Sequence, residues 1–77
     1  MTARSVLRRV GQDIRAARRD ARLTQQQLAG MIGTSRSSLA NLEAGNQEIT
    51  VTRLAALAEA LKLDIADLIR KEDAGHA

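Results

Sequence analysis

The sequence lacks several residue types, and each absence excludes a kind of structure. Its 77 residues include no Cys, Pro, Phe, Tyr or Trp. Without cysteine, disulfide bonds and thiolate metal sites are excluded. Without aromatic residues, the core has to be built from Leu, Ile, Val, Ala and Met. For a single small domain with such a thin core, we expect modest stability of the monomer and added stability from dimerisation.

Long apolar segments and catalytic side chains are also scarce. No apolar run approaches the roughly 20 residues that a transmembrane helix needs, and the N-terminus lacks the apolar core of a signal peptide. The single histidine, His76, lies near the C-terminus, where fraying is expected. We therefore expect a cytoplasmic protein with no catalytic residue, no metal site, no cofactor and no membrane partner.

Positive charge is concentrated in the first half of the chain. The formal net charge is +3, but residues 1–41 contain eight Arg and two Asp, which gives +6. Residues 42–77 contain four Lys and Arg and seven Asp and Glu, which gives −3. An arginine-rich half suits a polyanionic partner. The composition suits a solvated, basic helix surface equally well.

Helical periodicity fills the sequence, and no segment of useful length alternates with the period of a strand. Thr24 and Gln27 form a predicted capping box, and Gly33 and Gly45 are placed to end helices. These signals predict a compact all-α domain of five helices. The helices are expected at about residues 5–21, 25–32, 35–44, 51–62 and 65–71.

Apolar residues recur at spacings of three and four in the first and fourth predicted helices, which predicts the faces that pack into the core. Arg18 borders the stripe of the first helix and needs a partner if it is buried. The two stripes are Val6, Val10, Ile14, Ala17 and Ala21, and Val51, Leu54, Leu57, Ala58 and Leu61.

The third predicted helix has an unusual surface. Leu39 and Leu42 face the core, while a separate arc of about 140° carries small and polar side chains. Small side chains let a helix approach the DNA major groove, where Arg can pair with guanine and Asn with adenine. Gln25, at the start of the preceding helix, is a candidate for phosphate binding. The arc consists of Arg36, Ser37, Ala40, Asn41 and Ala44.

At these residues the chain resembles the Cro/repressor helix-turn-helix family, also called the xenobiotic-response-element family. The resemblance covers about residues 10–69 and includes "IRAARRDARLTQQQLAGMIGTSRSSLANLEAG" and "ITVTRLAALAEALKLDIADLI". It implies five helices, DNA binding by the second and third, and a dimer on a near-palindromic operator. The matching positions are Arg18, Leu23 to Gln25, Leu28, Ala29, Gly33, Leu39, Leu42, Glu43, Gly45, Leu54, Leu57, Ala58 and Leu61.

The same resemblance assigns roles by position. It implies base contacts by Arg36, Ser37 and Asn41, and a structural ion pair between Arg18 and Glu43. The predicted phosphate contacts are Gln25, Ser35, Ala44, Asn46 and Gln47. Local chemistry favours helix capping for Ser35, and mere exposure is an equal alternative for Ser37. Three positions depart from the family pattern: Arg22 replaces a common Gly, Ile49 a common Pro, and Gln47 a frequent Arg.

The ends of the chain leave alternatives open. Residues 1–9 are predicted as a basic N-terminal end and the start of the first helix, 10–70 as the DNA-binding domain, and 71–77 as a flexible tail. Arg4, Arg8 and Arg9 are either an arm that reaches DNA or a disordered or solvated end. A further apolar set belongs either to the core or to a predicted dimer interface. This set is Leu63, Ile65, Leu68 and Ile69.

The sequence thus predicts a sequence-specific transcriptional regulator that binds double-stranded DNA as a homodimer. A stand-alone repressor and a restriction–modification controller are both compatible with it. The antitoxin of a toxin–antitoxin pair, with a toxin as partner, and a protein-interaction module with the same fold are the alternatives. In the cytoplasm, the protein is expected to be nucleoid-associated when bound to DNA.

Overall fold

The computed structural model describes residues 2–69, except for the side chain of Ile69. The predicted tail at 71–77, His76 and the predicted extension of the last helix to Lys71 lie outside the described residues. The five-helix, all-α fold is confirmed. Its elements are α1 (Ala3–Asp20), α2 (Gln25–Met31), α3 (Arg36–Glu43), α4 (Val51–Leu61) and α5 (Ile65–Ile69).

Side-chain caps set the start of the first four helices. Each capping oxygen accepts a hydrogen bond from the backbone N–H three residues later, at 3.0–3.1 Å. The capping box of α2 is confirmed, because Gln27 also accepts a bond from the Thr24 backbone N–H at 2.8 Å. A second box, between Thr2 and Ser5, starts α1 two residues earlier than predicted. The four caps are Thr2, Thr24, Ser35 and Thr50.

Left-handed backbone conformations end the helices. Gly33 and Gly45 have φ values of 73° and 76°, as their predicted positions in the turns require. Arg22 has a φ of 61° and Lys62 a φ of 60°. An L-residue in this conformation costs roughly 1–2 kcal/mol. The turn after α1 therefore keeps the geometry that a glycine would favour, although an arginine occupies it.

All five helices contribute to the buried core: α1 packs against α3, α4 and α5, α2 packs against α3, and α4 packs against α5. The predicted stripes are correct at their centres and wrong at three end positions. Val6 is 41% exposed, Val51 is 76% exposed, and Ala21 is exposed after the end of α1. These residues lie at helix ends, beyond the packed part. The core residues are Val10, Ile14, Leu28, Ala29, Leu39, Leu42, Leu57, Ala58, Leu61 and Leu68.

Two glycines allow α1 to lie against the end of α3. A Cβ atom at Gly11 would be 2.5 Å from the carbonyl oxygen of Glu43 and 2.6 Å from that of Leu42. A Cβ atom at Gly45 would be 2.6 Å from the Cα atom of Arg8. The two backbones are thus too close for any side chain, and this contact fixes the position of α3 relative to α1.

Charged residues of α1 and α4 also differ from expectation. Arg4, Arg8 and Arg9 form neither an extended arm nor a disordered end, because all three lie within α1, but the alternative of a solvated basic surface holds for Arg4 and Arg8, which are exposed. Arg53 of α4 was not singled out by the sequence. Its Nη1 atom donates to the backbone oxygen of Ile32 at 2.9 Å and so satisfies a carbonyl at the end of α2.

Candidate nucleic-acid interface

A buried ion pair holds α1, α2 and α3 together. Arg18 Nε donates to Glu43 Oε2 at 2.7 Å, and Arg18 Nη2 donates to Glu43 Oε1 at 3.1 Å. Arg18 Nη1 also donates to the Leu23 backbone oxygen at 2.8 Å, at the entrance to α2. Arg18 and Glu43 are only 8% and 5% exposed. Such a bidentate pair fixes both charged groups in one geometry.

Gln25 connects this ion pair to the surface of α3. Its Nε2 atom donates to Glu43 Oε1 at 3.1 Å, and its Oε1 atom accepts from Arg36 Nη1 at 3.3 Å. The second Nε2 hydrogen of Gln25 remains available for a phosphate oxygen. A polar chain therefore runs from the core to the first residue of α3. The sequence predicted a phosphate contact for Gln25 and a base contact for Arg36, but no hydrogen bond that connects these two side chains with Glu43.

The opposite sides of α3 differ as its periodicity requires. Leu39 is fully buried and Leu42 is 3% exposed, while Arg36, Ser37 and Asn41 are exposed. Small residues accompany these three polar side chains, with Ala40 half-buried and Ala44 exposed at the C-cap. The exposed side of α3 thus carries Arg36 and Asn41, each of which can form two hydrogen bonds to one base, and otherwise has little steric bulk. This combination suits a helix that lies in a DNA major groove.

The remaining phosphate candidates flank α3 at its two ends. Ser35 precedes α3, and its Oγ atom accepts from the backbone N–H of Ser38 at 3.0 Å, which is the capping role. Asn46 and Gln47 are exposed in the loop after α3, where they line a shallow cleft of about 230 Å³ with Arg4. Arg4 of α1 and the carboxylate residue Glu48 therefore both lie beside the C-terminal end of α3.

The four predicted dimer residues have unequal surroundings. Leu68 is 2% exposed and packs in the core of a single chain, which leaves it no surface for a partner. Leu63 and Ile65 are half-buried and pack against the same core. The side chain of Ile69 lies outside the described residues. Among the described side chains of this set, Leu63 and Ile65 are thus the two placed to offer apolar surface near α5.

Comparison with known protein families shows to which of them this chain belongs. The helix-turn-helix family model HTH_3 matches residues 14–68, which is more than two thirds of the chain. The chain belongs to this helix-turn-helix family. The resemblance stated from the sequence is thereby confirmed. Helix-turn-helix proteins of this kind are DNA-binding transcription regulators and not enzymes.

Individual relatives of this helix-turn-helix protein are regulators from different systems. The immunity repressor protein of Bacillus phage phi105 is 38% identical over 63 residues, which cover 82% of this chain and 44% of the repressor. The chain thus spans less than half the length of that relative. Among solved structures, the restriction–modification controller protein C.AhdI from Aeromonas hydrophila has a TM-score of 0.83 at 28% identity. That match covers 88% of this chain and 99% of the controller.

A second solved structure gives a similar result. The clp gene regulator ClgR from Corynebacterium glutamicum superposes with a TM-score of 0.79 at 29% identity, covering 88% of this chain and 69% of the regulator.

Within residues 2–69, no helix combines the length and apolar character needed to cross a bilayer.

Proposed function

We propose that this protein is a sequence-specific transcriptional regulator whose α3 helix recognises bases in the major groove. Arg36, Ser37 and Asn41 make the base contacts. The observation that carries the proposal is the exposed side of α3, where these residues stand among small side chains. Gln25 supports the same assignment, because its hydrogen bond restricts the guanidinium of Arg36 before DNA arrives.

The proposed contacts to the DNA backbone lie near the two ends of α3. Gln25 and Ser35 contact phosphates near its start, and Ala44, Asn46 and Gln47 contact them near its end. Such contacts set the register of the helix in the groove but do not distinguish sequences. The +6 charge of residues 1–41 supplies the electrostatic attraction on which they depend.

We further propose that the protein binds a near-palindromic operator as a homodimer. One α3 helix contacts only a few base pairs, and paired helix-turn-helix modules place their recognition helices about one DNA turn apart. Leu63 and Ile65 supply the apolar surface for pairing. The likeness to a phage repressor and to a restriction–modification controller supports either kind of regulator, and the genes beside this one would distinguish them from a toxin–antitoxin pair.

The test is selection of duplexes from a randomised pool, followed by measurement of affinity for a selected duplex and a random-sequence duplex. We expect two related half-sites whose centres are about 10 base pairs apart. Arg36→Ala and Asn41→Ala should each cost about 1–3 kcal/mol on the selected duplex and relax its base preference at one position. Lys62→Gln, an exposed cation at the end of α4, is the control.

Equal losses on both duplexes for Arg36→Ala and Asn41→Ala would show that neither residue recognises a base. Absence of binding to any duplex at low salt would instead favour the protein-interaction module.

A further inference from the structure

A second cationic surface adjoins the proposed DNA contacts. A cleft of about 470 Å³ lies where α1 meets the start of α2 and α3. Within the described part of the chain, no carboxylate side chain belongs to its lining. The cleft also contains Gln25 and Arg36, so it is continuous with the proposed recognition surface. The residues that matter here are Arg15, Arg18, Arg19, Thr24, Gln25 and Arg36.

The four arginines of this cleft differ in how their charge is compensated. Arg18 is paired with Glu43, and Arg36 donates to Gln25. Arg15 and Arg19 are exposed and have no side-chain hydrogen bond or ion pair with residues 2–69. They are four positions apart in α1, which places two like charges one above the other on the same side of the helix. This pair repels itself unless an anion lies between or beside the two groups.

We propose that Arg15 and Arg19 bind the DNA backbone, at a phosphate beside the nucleotides that Arg36 contacts. The DNA surface then extends from α2 and α3 onto α1. Guanidinium groups suit this partner because each can donate two parallel hydrogen bonds to phosphate oxygens. The position favours duplex DNA over another polyanion, since Gln25 and Arg36, the proposed phosphate and base contacts, line the same cleft. This inference rests on the proposed DNA-binding function.

The experiment compares Arg15→Gln, Arg19→Gln and the double variant with Lys62→Gln. Lys62 is exposed, lies outside the cleft, and loses the same charge on substitution. Affinity for the selected duplex and for a random-sequence duplex is measured over a salt series. Each cleft arginine contributes about one unit to the slope of log affinity against log salt, so the double variant should lose about two units. Affinity at about 0.1 M salt should fall about five- to tenfold per arginine.

Phosphate binding predicts that the cleft variants lose affinity for both duplexes by the same factor. A changed ratio between the duplexes would overturn the assignment, as would a slope equal to that of Lys62→Gln. Single methylphosphonate substitutions in the selected duplex locate the contact. One neutralised phosphate should weaken the wild type but leave the double variant unaffected, and the absence of any such phosphate would contradict the proposal.

The inference and the proposed function fail in different ways. If the wild type binds no duplex, both are wrong. If the wild type selects an operator and Arg36→Ala loses specificity, but the double variant keeps the wild-type salt slope, only the contact by α1 is wrong. Circular dichroism of each variant checks that these exposed substitutions leave the helices intact.

Discussion

Gln25 donates a hydrogen bond to Glu43, the same carboxylate that Arg18 holds in the core. Glu43 Oε1 therefore accepts from both Arg18 and Gln25, at 3.1 Å in each case. The amide of Gln25 is oriented by this bond, with its oxygen directed to Arg36. A group that stabilises the fold thus also sets the position of a side chain proposed to recognise DNA.

Removal of the Glu43 carboxylate should destabilise the whole domain. Glu43→Ala leaves the guanidinium of Arg18 buried without its ionic partner, which costs about 3–5 kcal/mol. That loss is comparable to the entire stability of a small domain. Thermal and urea unfolding measure it, with Glu48→Ala, an exposed carboxylate, as the control expected to stay within about 0.5 kcal/mol of the wild type.

A double replacement separates the cost of an unpaired charge from the cost of lost contacts. Arg18→Met combined with Glu43→Leu removes both charges and retains apolar volume, so it should be more stable than Glu43→Ala alone. An unfolding midpoint for Glu43→Ala equal to that of the wild type would show that the pair does not support the fold.

Gln25 and Arg36 should act together in DNA binding. Gln25→Ala removes the acceptor that restricts the Arg36 guanidinium, as well as the phosphate contact proposed for Gln25 itself. Because the two side chains share a hydrogen bond, the losses should not add, and the double-mutant cycle should give a coupling of about 0.5–1.5 kcal/mol on the selected duplex. Asn41 is not hydrogen-bonded to Gln25 in the structure, and the Gln25–Asn41 cycle should be near zero. Additivity in both cycles would contradict the positioning role.

The glycines provide a matched test of the packing between α1 and α3. Gly11→Ala places a methyl group against the backbone of Glu43 and should cost about 1–3 kcal/mol. Gly30, in α2, has nothing within 4 Å of a new Cβ atom and no positive φ. Gly30→Ala should stabilise the domain by about 0.4–1 kcal/mol through the unfolded state. Equal effects in urea unfolding would contradict the close approach seen at Gly11.

Gly11 also shows what sequence reasoning could not supply. Periodicity located Leu39, Leu42 and Ile14 in the core, because side chains that recur with the helical period reveal a buried side. A glycine has no side chain and therefore does not contribute to that pattern. The close approach of α1 to α3 at Gly11 is for this reason evident only from the structure. The exposure of Val51 was missed for a related reason, since a helix end can leave the packed region while its residues keep the period.

The hydrogen bonds of Gln25 and Arg53 were hidden for a different physical reason, whereas the family resemblance had already implied the pairing of Arg18 with Glu43. Arg18, Gln25 and Glu43 were each assigned a role, but a hydrogen bond between residues 18 positions apart in sequence depends on how α2 meets the end of α3. Arg53 illustrates the same limit. Its length lets it reach the carbonyl of Ile32, 21 positions away, and no local pattern marks that bond.

The proposed dimer depends on apolar surface that one chain leaves incompletely covered. Leu68 already packs in the core, so among the described side chains of the predicted set Leu63 and Ile65 are the ones that can contribute to pairing. Ile65 is the first residue of α5, where an introduced Asp is compatible with the helix N-terminus. Val51 holds the equivalent position in α4 and is 76% exposed. The two positions therefore allow the same substitution in the same helical context.

Ile65→Asp should shift the protein from dimer to monomer and weaken binding to the two-half-site duplex, while Val51→Asp should leave the association unchanged. The charge at position 65 would have to be desolvated in an apolar contact, which costs several kcal/mol without a partner. Sedimentation at about ten to a hundred micromolar measures the association, and circular dichroism confirms that both variants remain helical. Binding to a duplex with one half-site should be nearly unaffected, because α3 is unchanged. A wild type that sediments as a monomer and binds each selected duplex as a single copy would contradict the dimer.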